Sequence, residues 1–295
     1  MGFRVIVSQG RLADRTPGAV AGAALLGAAL AERLGVSPRF VGVPAAPKLD
    51  RHEGALAEAE PTLLAVAEEV RAAFAAGSLP LIAGNKCPVA LASLPVAAAA
   101  HTDLCVVWFD AHGDFHTPHT SDSGYLGGMV LAAACGLWSS GHGAGVNPRN
   151  VVLVGARDLD AAEAEFLALH GVTVLHPASV TEEALRRAVA GRPLWVHVDL
   201  DVLEPGFVPL DYEVPGGFSP VELRALLAVL PAGRLVGAEV TEFEAPVPGA
   251  DAVAQRRSGP ERSAEAAAEA GTSTATSAAV ASVLHALGPL LGDPA

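Results

Sequence analysis

Two rhythms of apolar residues run along the chain. Short runs rich in Val, Ile and Leu recur: FRVIVS, RFVGVP, LPLIAG, LCVVWFD, NVVLVGAR, VTVLHP, LWVHVDLD and RLVGAEV. Between them lie longer Ala- and Leu-rich stretches with helical patterning, near 17–34, 54–77, 88–99, 124–137, 160–170, 181–190, 219–230 and 277–291. Strands apolar on both faces and separated by helices belong to a parallel sheet covered by helices. The pattern predicts an α/β fold with about eight strands, and no shift in composition cuts the chain in two. Residues 247–276 break the rhythm, being rich in Ala, Glu, Gly, Ser and Pro. They read as a mobile surface insertion before the last helix, a tolerated loop more than a lid or an interface.

The composition narrows the function classes. With 295 residues, 51% hydrophobic and 17% charged, the chain is globular and long enough for one large core. A formal net charge of −13 argues against nucleic acid as a partner. Cys87, Cys105 and Cys135 show no pairing pattern and suit a reducing compartment. The longest early apolar run, 19–31, is too short to span a bilayer and lies behind a strand and a charged turn, unlike a signal peptide. The expectation is a cytoplasmic protein without a membrane partner. The sequence leaves its oligomeric state open.

The polar residues gather where a parallel sheet binds ligands, beyond the carboxyl ends of its strands. LCVVWFD delivers Asp110, His112 and Asp114, and LWVHVDLD delivers Asp199 and Asp201. On an extended chain alternate positions share one face, so these side chains can converge. Asp-x-His-x-Asp alone also occurs as a solvated turn. Four carboxylates crowded on one rim, however, would repel one another without cations. They exceed what one small ion needs, which points to a bridged pair of metals. Oxygen-rich ligation with one imidazole suits Mn²⁺ better than Zn²⁺. NVVLVGAR runs into Arg157, Asp158 and Asp160, LPLIAG into Asn85, Lys86 and Cys87, and RLVGAEV into Glu239, Glu242 and Glu244, three carboxylates expected on one face.

The segments FDAHGDF, HVDLDVLEP and GAEVTE, in this order and spacing, resemble the arginase/agmatinase (ureohydrolase) family over most of the chain. The resemblance implies a three-layer α/β/α fold, two Mn²⁺ ions and hydrolysis of a guanidino group by a bridging hydroxide. It implies Asp110 and Asp199 as bridging carboxylates, Asp114 as a ligand of one metal that also holds the hydroxide, and His112 and Asp201 completing the other. It makes Asp114, Asp201 and Glu242 the catalytic carboxylates, with Glu242 paired to the guanidinium. Asp160 and Ser123 match residues near the α-amino and α-carboxylate groups of an amino-acid substrate.

Three positions depart from the family pattern. The segment GNKCP puts Cys87 where a histidine binds one metal; a helix start and a metal both favour thiolate, so Cys87 reads as a ligand. Lys86 beside it is expected to point to solvent. Gly127 replaces a histidine that arginases use as acid, base or proton shuttle, and is expected to leave room for an extra substrate oxygen. His116 replaces an asparagine on the α-carboxylate. These changes resemble family members that cleave Nω-hydroxy-L-arginine to hydroxyurea and L-ornithine in D-cycloserine biosynthesis. The alternatives are an ordinary arginase, another guanidino-acid hydrolase, or an inactive metal-binding relative. His119, His142 and His176 read as loop residues, His197 as a residue behind the ligands or in the core, and Cys105 and Cys135 as core.

Overall fold

The computed structural model describes residues 2–246 and 265–293. Eight parallel strands form one sheet: β1 (Phe3–Ser8), β2 (Arg39–Val41), β3 (Leu79–Ala83), β4 (Cys105–Phe109), β5 (Val151–Val154), β6 (Thr173–Leu175), β7 (Leu194–Asp199) and β8 (Leu235–Thr241). Their order across the sheet is β2-β1-β3-β8-β7-β4-β5-β6. Among the described residues, eight α-helices accompany them: α1 (Gly18–Leu34), α2 (His52–Ala75), α3 (Ala90–Ala100), α4 (Val130–Ala134), α5 (Ala161–His170), α6 (Glu182–Val189), α7 (Pro220–Ala228) and α8 (Glu265–Leu287).

Strand alternation sorts the core into two layers. Val5, Val7, Val107, Phe109, Val196 and Val198 pack with Leu26 of α1, Leu185 of α6, Leu223 of α7 and Val283 of α8. Ile6, Ile82, Val106 and Trp108 face the other way, toward Leu63 of α2, Leu94 of α3, Leu131 of α4 and Leu167 of α5. This is the three-layer α/β/α arrangement expected.

Two helix boundaries differ from the sequence pattern. The expected helix over 124–137 shortens to α4, entered through a 3₁₀ turn at Gly127–Met129, because Gly124 takes a positive φ of 64° and breaks the start. The last helix begins at Glu265, well ahead of 277, so the end of the expected insertion 247–276 is helical. Residues 247–264 of that segment lie outside the described residues. Among the described residues, the stretch Thr274–Leu291 is long and apolar enough to cross a membrane by length and composition; 39% of it is buried within the fold.

The sheet order fixes where a ligand can sit. β3 and β4 are consecutive in the chain, yet β8 and β7 lie between them. Their connections diverge and open a crevice at the carboxyl ends of these four strands.

Candidate metal centre

Each central strand brings chemistry to that crevice. Beyond β4, the Asp110 carboxylate is buried; Oδ2 accepts from Trp108 Nε1 at 2.8 Å and Oδ1 from the His112 amide at 2.6 Å. His112 Nδ1 lies 2.9 Å from Asp201 Oδ2. From the end of β7, Asp201 Oδ1 accepts the Ala111 N–H at 3.0 Å, and Asp199 Oδ1 accepts the Asp201 N–H at 2.8 Å. The backbone thus holds one oxygen of each carboxylate, and the other meets a side chain: Trp108 for Asp110, His112 for Asp201 and Cys87 for Asp199.

Asp114 is placed by strain. Its φ of 50° is left-handed, and its carbonyl is anchored by the Leu131 and Ala132 N–H groups at 3.0 and 3.3 Å. Its Oδ2 is buried with no hydrogen-bond partner among the described residues. Gly113 before it has no side chain because a Cβ would overlap the Glu163 carboxylate, which accepts the Phe115 N–H at 2.9 Å.

Cys87 opens the turn after β3 and is buried. Its Sγ donates to Asp199 Oδ2 at 2.9 Å and lies 3.6 Å from His197 Nε2. One donor atom each from Cys87, Asp110, His197 and Asp199 lies within 4.8 Å of the others, as do those of Asp110, His112 and Asp201. Asp110 belongs to both groups.

The donor set fits a pair of divalent cations. Burial, then the neighbouring Asp201 and Asp110 charges, pushes the Asp199 carboxyl well above its ordinary range. Burial and the Asp110 charge do the same to Asp114, and burial with Asp199 raises the Cys87 thiol. Burial would raise Asp201 too, but the hydrogen bond from His112 holds it low. Such a set needs either protons or cations to be stable, and the buried, unengaged Asp114 Oδ2 needs a partner.

Behind the ligands lies a layer only partly visible in the sequence. His197 is fully buried and stacks on Trp108, ring centroids 3.5 Å apart and 3° from parallel. Its Nδ1 pairs with Glu239 Oε1 at 2.9 Å, and Glu239 Oε2 accepts from Ser93 Oγ at 2.6 Å. A carboxylate at Nδ1 keeps the proton there and leaves the Nε2 lone pair facing Cys87. Glu239→Gln offers an amide that can reverse this tautomer. It is expected to weaken Mn²⁺ affinity about 10–100-fold, read by metal titration, with the far-ultraviolet circular dichroism unchanged. Unchanged affinity would make the Glu239–His197 pair a packing feature only.

Three sequence expectations are corrected by the geometry. Glu239, Glu242 and Glu244 do not share a face. Glu239 and Glu242 stand three positions apart, an odd spacing that puts them on opposite faces of a strand; Glu239 lies behind Cys87, while β8 ends at Thr241 and Glu242, with a φ of 71°, turns into the crevice. Lys86 does not reach solvent. It is fully buried, with Nζ 2.5 Å from Glu242 Oε2, 3.0 Å from Asp211 Oδ2 and 3.4 Å from Glu244 Oε1. Three carboxylates from two distant loops outweigh hydration of one ammonium. The flank of Gly127 is not open space, because a Cβ there would meet the Tyr125 ring. That ring lies under the Arg15 guanidinium, 4.1 Å from its centroid, and its buried hydroxyl has no partner among the described residues. Burial and the Glu242 charge hold the phenol well above its ordinary value.

The remaining expected substrate residues lie on the rim. His116 Nε2 pairs with Asp160 Oδ2 at 3.1 Å, and Asp160 Oδ1 caps α5 by accepting the Glu163 N–H at 2.8 Å. Ser123 is exposed, and its Oγ accepts the Tyr125 N–H at 3.2 Å. Arg157 and Asn85 serve loops instead. Arg157 Nη2 donates to the Asp201 and Val214 carbonyls, both at 2.7 Å, and Asn85 Nδ2 donates to Asp14 at 2.8 Å.

The comparison with known proteins agrees with this architecture. A model of the arginase family matches residues 15–276. The chain is 48% identical over 242 residues to the N(omega)-hydroxy-L-arginine amidinohydrolase of Streptomyces lavendulae, covering 82% of this chain and 89% of that one. It is 32% identical over 193 residues to the arginase of Bacillus subtilis (strain 168), covering 60% and 65%. The crystal structure of arginase from Bacillus cereus superposes with a TM-score of 0.78 at 25% identity, over 99% of both chains. This chain belongs to the arginase family. It is a hydrolase of that family, with a side-chain cluster suited to a binuclear metal centre.

Proposed function

We propose that the protein is a dimanganese amidinohydrolase that cleaves Nω-hydroxy-L-arginine to hydroxyurea and L-ornithine, acting in the cytoplasm. The observation that carries this reading is Cys87, a thiol among the carboxylates, in a chain 48% identical to a hydroxyarginine amidinohydrolase. Three unpaired cysteines accord with a reducing compartment.

Cys87, Asp110, His112, Asp114, Asp199 and Asp201 would hold the two ions. The ions would supply Lewis acidity and a water acidified enough to attack at neutral pH. The chain supplies orientation and proton handling. Water adds to the amidino carbon, the bond to the ornithine δ-nitrogen breaks, and that nitrogen leaves with a proton. Asp114, with Oδ2 unengaged, is placed to take the water's proton. Asp201 is oriented for this chemistry by His112 and the Ala111 amide. Glu242 faces the amidino head group. His116, Asp160 and Ser123, on the rim, would hold the amino-acid end, and Gly127 with Tyr125 beside it would line the wall.

A hydroxyguanidine is less basic than a guanidine, so it enters uncharged and its carbon is more readily polarised for attack; glycine at position 127 supplies no acid to compensate for a guanidinium. Ornithine release by the Mn²⁺-loaded protein is expected to show kcat/KM for Nω-hydroxy-L-arginine at least about a hundredfold above that for L-arginine, because the guanidinium of arginine stays protonated at neutral pH and the less basic hydroxyguanidine does not. Equal or faster turnover of arginine would replace this reading with an ordinary arginase.

A further inference from the structure

Lys86 is a buried cation that the reaction above does not use. Its nearest partner is Glu242, 2.5 Å from Nζ; Asp211 and Glu244 hold the ammonium from further away. Glu244 is itself bound by the Thr16 hydroxyl at 2.5 Å. The other oxygen of Glu242, Oε1, accepts the Cys87 N–H at 3.3 Å. Both oxygens of this buried carboxylate therefore already have donors, and the nearer donor carries a full positive charge.

That arrangement changes what Glu242 can bind. An unpartnered buried carboxylate demands a cation. Here the chain provides one from the protein side. A guanidinium approaching Glu242 meets an ammonium within a few ångströms, in surroundings where like charges are poorly screened. An uncharged amidine keeps the hydrogen bonds that remaining carboxylate lone pairs can accept, without the repulsion. We infer that Lys86 is a specificity-determining residue that neutralises Glu242 and so selects an uncharged amidine head group, the neutral form of an N-hydroxyguanidine, over a guanidinium cation. The inference rests on the reading that Glu242 faces the amidino group.

L-citrulline and L-arginine separate the two head groups, because the ureido group is the uncharged counterpart of guanidinium in nearly the same shape. In the Mn²⁺-loaded parent protein, citrulline is expected to bind at least about tenfold more tightly than arginine, by calorimetry and by inhibition of hydroxyarginine turnover. Arginine binding as tightly as citrulline, or more so, would overturn the inference whatever the variants do. Lys86→Gln is expected to raise kcat/KM for arginine relative to hydroxyarginine by about tenfold or more, and Lys86→Arg to keep the parent ratio. A parallel fall for both substrates in Lys86→Gln would make Lys86 structural only. If that variant fails to fold, the ligand comparison on the parent decides. A parent protein that hydrolyses neither guanidino amino acid would sink the proposed function, while calorimetry still reads the head-group preference.

Discussion

Asp199→Asn is expected to slow hydroxyarginine turnover more than about a hundredfold, and yet to raise the melting temperature of the chelator-treated protein by about 2–4 °C. Outer groups that merely orient metal ligands are worth 10–100-fold, so a carboxylate touching both Cys87 and the Asp201 amide should exceed that. The stability change follows from charge. Burial and the Asp201 and Asp110 charges raise the folded-state pKa of Asp199 above the ordinary 3.8. A carboxyl so raised favours the fold below its ordinary pKa, and that contribution is lost as pH rises through the folded value. Near neutral pH the metal-free parent bears this burden, and asparagine, uncharged, removes it. With Mn²⁺ the order reverses, because ions that bind only the folded state stabilise the parent and much less the variant. Thermal melts with and without chelator, alongside kcat/KM, test both halves. A variant that keeps its activity and melts lower without metal would make Asp199 an ordinary structural carboxylate.

Gly22→Ala is expected to lower stability by about 3 kcal/mol, near the upper end for overpacking, and to reduce activity with it. Gly22 lies in α1 where the helix runs against the chain leaving β8, and a Cβ there would overlap the Phe243 carbonyl oxygen. The obstacle is backbone, which cannot rotate aside. One turn earlier, the Gly18 carbonyl accepts the Ala245 N–H at 3.1 Å, so α1 and residues 243–245 are already locked together. Pushing them apart moves Glu242, whose φ of 71° leaves it little freedom to compensate. Alanine is ordinarily the better helix residue, so a stabilised variant in urea denaturation would show that this contact is slack.

The strands were legible because fully buried parallel strands leave little room for polar residues, and the ligand-type side chains because they stand directly beyond those strands. Lys86 was not, since a lysine at a strand end is ordinarily solvated and its partners Asp211, Glu242 and Glu244 arrive from loops far along the chain. The separation of Glu239 from Glu242 was legible, since an odd spacing of three positions puts them on opposite faces of a strand; the left-handed turn at Glu242 was not, having no glycine to announce it. Tyr125 stands among glycines and reads as part of a turn; only the packed structure shows its ring against Gly127. The start of α8 was obscured because Ala and Glu favour helices yet also dominate disordered segments.

The position of β8 governs how the molecule can be made. It is the last strand in sequence, yet it pairs with β3 on one side and β7 on the other. Until residues 235–241 emerge from the ribosome, the strands already made can pair only as two half-sheets, β2-β1-β3 and β7-β4-β5-β6, each with an apolar edge unpaired. Such edges are where chains stick to one another. The keystone strand arrives last and carries Glu242 just behind it, so the crevice is complete only in molecules that have escaped that hazard.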